Sequence, residues 1–161
     1  MRALGVGPEQ LELEITESAL LQNDRETMAA LHSFRTLGMR VAMDDFGTGC
    51  SSLSYLRGFP FDTIKIDRSF ASDLHARDER TAIVRAIISL GSSSRMNITA
   101  EGVETEEQLE FLATAGCTEL QGYLFSKPVP AREVPALIKQ LSALQVSALP
   151  GSPVIELAVD H

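Results

Sequence analysis

The sequence predicts an α/β protein with a parallel sheet, and three observations predict it. Short apolar runs of strand character alternate with longer segments whose apolar residues recur at helical spacing. Glycines and prolines separate the two kinds of segment, and strand after strand ends in a polar residue. The order reads βαβαβαβαβα, which fits an open doubly wound sheet or part of a (β/α)8 barrel.

Each element follows from its residues. Gly5, Gly7 and Pro8 break any helix, and Leu11-Glu12-Leu13-Glu14-Ile15-Thr16 then alternates apolar with polar, predicting a strand with two unlike faces. Asn23 with Glu26 predicts a helix start; Met28, Leu31, Phe34 and Leu37 form its stripe and Gly38 stops it. Arg40-Val41-Ala42-Met43 leads as a strand into Asp44 and Asp45, and a short helix is expected from Ser52 to Arg57. Thr63-Ile64-Lys65-Ile66-Asp67 is the third strand. Residues 79 to 90 read as a helix ended by Gly91-Ser92-Ser93-Ser94, before a fourth strand, Asn97-Ile98-Thr99-Ala100-Glu101. Thr105 with Gln108 caps the next helix, which Gly116 terminates. Glu119 to Tyr123 is the fifth strand, Ala131 to Leu144 the last helix, and the tail from residue 146 to 161 has no assignable element.

With 161 residues, 44% hydrophobic and 22% charged, the chain has material for one globular core. A formal net charge of -8 without a basic run argues against gripping duplex nucleic acid. Two cysteines, Cys50 and Cys117, fit a reducing cytosol rather than a disulfide framework. No stretch approaches the ~18 apolar residues of a membrane span, so the chain reads as cytoplasmic.

Asp44-Asp45 is the sharpest local signal. Adjacent carboxylates repel, and a hard divalent ion bound through oxygen is the usual remedy. An isolated Asp-Asp before glycines is more often a solvated turn or a helix cap. Recurrence shifts the balance: Glu14, Asp44 with Asp45, Lys65, Glu101 and Gln121 each lie at or near the C-terminal end of a predicted strand. In parallel α/β folds that edge is where sites are built. Four carboxylates with a lysine and a glutamine there suit a hard-metal site with a proton-transfer group beside it.

Five stretches also carry a family resemblance: Glu14-Ile15-Thr16-Glu17-Ser18, Asp44 to Leu53, Lys65 to Phe70, Ala100-Glu101-Gly102-Val103-Glu104 and Gln121-Gly122-Tyr123. In order and separation they resemble the signatures of the EAL domain family. The resemblance implies a (β/α)8 TIM-type barrel that hydrolyses cyclic diguanylate to a linear dinucleotide with two Mg2+ or Mn2+ ions. It implies that Glu14, Asp44, Asp45 and Glu101 are metal ligands, and that Lys65, Glu101 and Gln121 serve catalysis. Glu17, Phe46, Gly47, Thr48, Gly49 and Glu104 would form a supporting loop or dimer contact. The family's Glu-Ala-Leu glutamate and a following Asn ligand belong upstream of Leu11, where ten residues stand, and such barrels run to ~250 residues. The chain therefore reads as a partial barrel of about five parallel strands with the first strands missing: residues 1 to 145 the C-terminal two thirds of the domain, 146 to 161 a tail. An inactive truncated phosphodiesterase is expected, with a degenerate nucleotide-binding or protein-interaction module as the alternative. An apolar inner wall and open sheet edges predict a homodimer or self-association.

Overall fold

The structure, a computed structural model, describes residues 5–22, 24–47, 56, 58–71, 79–143, 154–156 and 159–160. After a short 3-10 turn at Pro8–Gln10 come β1 (Glu12–Thr16), α1 (Glu17–Gln22), α2 (Asp24–Thr36), β2 (Arg40–Phe46) and β3 (Thr63–Ile66). They are followed by α3 (Arg68–Ala71), α4 (Glu79–Ser93), β4 (Asn97–Ala100), α5 (Glu106–Ala115) and β5 (Glu119–Gln121). The last elements are β6 (Val129–Pro130), α6 (Val134–Ala143), β7 (Val154–Glu156) and β8 (Val159–Asp160).

Strands β1 to β5 lie side by side in sequence order, every pair parallel. The five-strand expectation holds, and the tail adds to it. Val154–Glu156 pairs parallel with β5, so that the sheet runs from an edge at β1 to an edge at β7. A separate two-stranded pairing joins β6 and β8.

The period of two fixes what each face carries. Val41, Met43, Ile64, Ile66, Ile98, Ala100 and Leu120 fall on one face and are buried together with Leu20, Leu31, Val84, Ile87, Ile88 and Leu112 from the helices. Each such side chain contributes about 1.5–3 kcal/mol by leaving water, so this face holds the fold together. The opposite parity is polar: Glu12, Glu14, Thr63, Lys65, Asn97, Thr99, Glu119 and Gln121. All of these but Gln121 pair across strands, Thr63 Oγ1 donating to Glu12 (3.0 Å) and Thr99 Oγ1 to Glu119 (2.8 Å). The expected apolar inner wall is therefore corrected: among the described residues, hydrogen-bonded polar pairs line much of it.

Two local findings differ from the sequence pattern. Helix α4 runs through Gly91 to Ser93 instead of stopping there. A Cβ at Gly91 would lie 2.8 Å from Ile98 Cγ1, so the glycine lets the helix approach β4 closely. The helix ends instead on Arg95, whose φ of 59° is left-handed; Met96 N–H donates to Gly91 O (3.0 Å) and Arg95 N–H to Ser92 O (3.1 Å), a Schellman closure. Helix α1 was not expected; Thr16 Oγ1 accepts from Ala19 N–H (3.3 Å) at its start. By contrast, Thr105 and Gln108 form the predicted capping box and Gly116, at φ 106°, ends α5. The short helix expected at Ser52 to Arg57 falls largely outside the described residues.

Candidate active site

The C-terminal ends of β1 to β5, all parallel, share one edge of the sheet. Strand β2 makes the decisive local adjustment. Its register with β3 shifts between Met43 and Phe46: Met43 pairs with Ile64, Phe46 with Ile66, so three steps on β2 match two on β3. Both Met43 and Phe46 are buried in the core. Strict alternation would turn either Asp44 or Asp45 inward; the bulge takes up the extra residue and spares the core a carboxylate. Asp45 carries the turn with φ 53°, a left-handed conformation that Asp tolerates better than most residues, and its N–H donates to Asp44 Oδ1 (2.9 Å).

Lys65 on β3 is the centre of the edge. It is 5% exposed, and its Nζ donates to Glu14 Oε1 (2.5 Å) and contacts Glu101 Oε1 (2.6 Å). Burial disfavours the ammonium, but the hydrogen bonds to Glu101 and Glu14 outweigh it and hold the pKa well above the usual lysine range. Burial pushes Glu101 up; Lys65 pulls it back, while Asp44 and Glu14 add to the rise. Asp45 is raised by burial and by Asp44, Asp67 and Glu14 against the pull of Lys65. These mutual effects establish one electrostatic unit of Glu14, Asp44, Asp45, Lys65 and Glu101, contributed by four strands.

Beside it opens a cavity of about 140 Å3 lined by Arg68, Glu101, Gly102, Glu104, Gln121, Gly122, Tyr123 and Ser126. Gln121 Oε1 is buried without a hydrogen-bond partner among the described residues, and the Glu104 N–H donates to Gln108 Oε1 (2.7 Å). The structure thus brings Gln121 and Glu104 to the cavity wall rather than to the lysine. Phe46 belongs to the core, and Gly47, at φ 100°, packs under the Phe70 ring. Glu17 opens α1, 4% exposed, with both carboxylate oxygens buried and without a hydrogen-bond partner among the described residues. Thr48 and Gly49 lie outside the described residues. Sequence reasoning did not name Arg68, Tyr123 and Ser126 as site residues; Arg68 and Tyr123 fall within the stretches that carry the resemblance, and Ser126 had no signal beyond its nearness to Gln121 in the chain.

The donor chemistry suits a hard divalent ion, being carboxylate oxygen throughout. Among the described residues, though, no three acidic side chains are gathered closely enough to hold an ion as they stand. Lys65 between Glu14 and Glu101 is the evident reason. The buried thiol of Cys117, pushed by burial up to about 12, takes no part. Among the described residues no helix is long and apolar enough to cross a membrane.

Comparison with known proteins gives this geometry its context. A family model described as EAL domain matches residues 1–128. An uncharacterized signaling protein of Caulobacter vibrioides is 55% identical over 126 residues, 78% of this chain and 16% of its own. Cyclic di-GMP phosphodiesterase NbdA of Pseudomonas aeruginosa is 46% identical over 140 residues, 87% of this chain and 18% of its own. The PaMucR phosphodiesterase in complex with c-di-GMP superposes with a TM-score of 0.78 at 41% identity, covering 83% of this chain and 54% of that one. Klebsiella pneumoniae BlrP1 with manganese and cyclic di-GMP gives 0.74 at 36% identity, covering 78% and 32%. The chain spans less than a fifth of the length of the curated relatives it matches.

Proposed function

The chain belongs to the EAL domain family, and from that membership we propose that its site is part of a divalent-metal-dependent phosphodiesterase centre that opens cyclic diguanylate to a linear dinucleotide. The observation that carries the reading is the buried Lys65 ammonium joined to Glu14 and Glu101 beside the Asp44–Asp45 bulge. Relatives named for cyclic di-GMP hydrolysis, and solved neighbours holding that ligand, support the substrate.

Glu14, Asp44, Asp45 and Glu101 would hold Mg2+ or Mn2+. A bound ion of this kind polarises a phosphoryl oxygen and lowers the pKa of a coordinated water. The chain's own residues do the rest. Hydrolysis adds one water across one phosphodiester, forming a P–O bond to the water oxygen and breaking one to the sugar. Glu101, with its pKa raised by burial, would accept the water's proton, and that proton balances the one the departing sugar oxygen takes up as its P–O bond breaks. Lys65 offers a fixed positive charge to the attacking water or a phosphate oxygen. Gln121, whose Oε1 has no partner among the described residues, and Glu104 would steady groups in the cavity, and the resemblance assigns Glu17 to support of the loop after Asp45. Dimer contact through that loop belongs to the same proposal.

The open sheet, with β1 as one edge, favours little turnover from this chain alone. Misplacing reacting groups by ~1 Å costs roughly 100-fold. Incubating the chain with Mn2+ and cyclic diguanylate, alone and joined to upstream strands of a relative, tests this. Linear dinucleotide is expected only from the joined protein. Ligand binding without turnover in both samples favours the second reading, a non-catalytic nucleotide-binding module, for which the lack of a gathered three-carboxylate set speaks.

A further inference from the structure

The Lys65 ammonium lies between two carboxylates from separate strands. Glu14 stands in the middle of β1 and Glu101 follows β4, so the carboxylates reach Lys65 from either side of β2 and β3. The side chain of Lys65 is 7% exposed, that of Glu101 24% and that of Glu14 45%. Of the three, the cation is thus the least hydrated and depends most on its partners. A buried ammonium stripped of its acceptors is costly, while a glutamate turning toward water is not.

We propose that Lys65 and a divalent cation compete for Glu14 and Glu101, so that an ion engages these carboxylates only as the ammonium surrenders at least one of them. The proposal rests on the metal-dependent reading above. Charge conservation within the site gives it direction. A dication beside Lys65 meets like-charge repulsion as well as shared ligands, and both effects weaken binding. The displaced ammonium needs another acceptor, and an anionic phosphodiester oxygen supplies one. Divalent ion and phosphodiester should therefore each strengthen the other's binding, by the same factor in both directions. Lys65 in this sense couples the two charges that enter the site.

Mn2+ titration followed by the paramagnetic resonance of the free ion tests the competition in the full chain. Lys65→Met and Lys65→Gln, which both remove the charge, are expected to bind Mn2+ roughly tenfold or more tightly than wild type. Equal or weaker affinity overturns the proposal, because the ammonium would then orient the glutamates rather than contest them. Should the variants fail to fold, wild type gives the second readout: the 15Nζ resonance of Lys65, assigned through Lys65→Arg, is expected to move on Mg2+ addition. An unmoved resonance at saturating Mg2+ overturns the proposal too. Absence of Mn2+ binding in wild type and both variants sinks the metal-dependent reading itself; binding that is insensitive to Lys65 sinks the competition alone.

Discussion

Gly122 is the position where one added methyl group should do most damage. It follows Gln121 directly, and a Cβ there would fall on the N and O atoms of Val103 and 2.7 Å from its carbonyl carbon. All three are backbone atoms and cannot rotate away. Val103 N–H donates to Gln121 O (3.0 Å) and Leu124 N–H to Val103 O (2.9 Å), so parting the segments breaks two hydrogen bonds as well. Overpacking costs about 1–3 kcal/mol and each lost bond about 1 kcal/mol, giving about 3 kcal/mol or more for Gly122→Ala. For a chain of this size that corresponds to a fall in Tm of roughly 6–12 °C. Gly58→Ala is the control, since no described residue lies within 4 Å of its Cβ position. Scanning calorimetry on both variants decides the matter. A Gly122→Ala Tm within about 2 °C of wild type, or an equal fall in the control, would refute the reasoning.

Two further expectations concern charge. Asp44→Asn should weaken Mn2+ binding about tenfold or more in calorimetric titration, because the lost charge lies beside both Asp45 and Glu101; unchanged affinity removes Asp44 from the donor set. The second concerns alkaline stability. Burial opposes the Lys65 charge, but Glu101 and Glu14 raise its pKa in the folded protein above the usual 10.5, so the native state binds that proton more tightly than the unfolded chain. The resulting stability is complete below 10.5 and lost as pH rises through the higher folded value. Urea unfolding of Lys65→Met should show a shallower alkaline decline than wild type; parallel curves would contradict the linkage.

How far the sequence could be read depended on which physics each residue answered to. Strand parity was legible because Leu13, Ile15, Val41, Met43, Ile64 and Ile66 obey a period of two, and the same count put Glu14 and Lys65 on one face. Caps were legible where the cap is local, as with Thr105, Gln108 and Gly116. Gly91 misled because its sequence neighbours spell a loop, while its reason is Ile98, distant in the chain and adjacent in space. The polar character of the inner face was present in Glu12, Thr63, Thr99 and Glu119, yet only their cross-strand pairing made it visible. The tail strand had no local signal at all; its reason is the free edge of β5. At the site, convergence at one edge was legible, but the grip of Lys65 on Glu14 and Glu101 was not, since no spacing rule reports a contact across 51 residues.

The register shift at Asp44 and Asp45 has a consequence for how this site can be lost. Counted against the alternation of β2, one aspartate is a supernumerary letter, and the ladder tolerates it only by buckling. Deleting a single codon there would restore an uninterrupted strand, with Met43 and Phe46 still facing the core and one carboxylate still at the edge. The protein would then keep its fold while halving its densest charge. Few sites are arranged so that their simplest genetic lesion also relieves the scaffold.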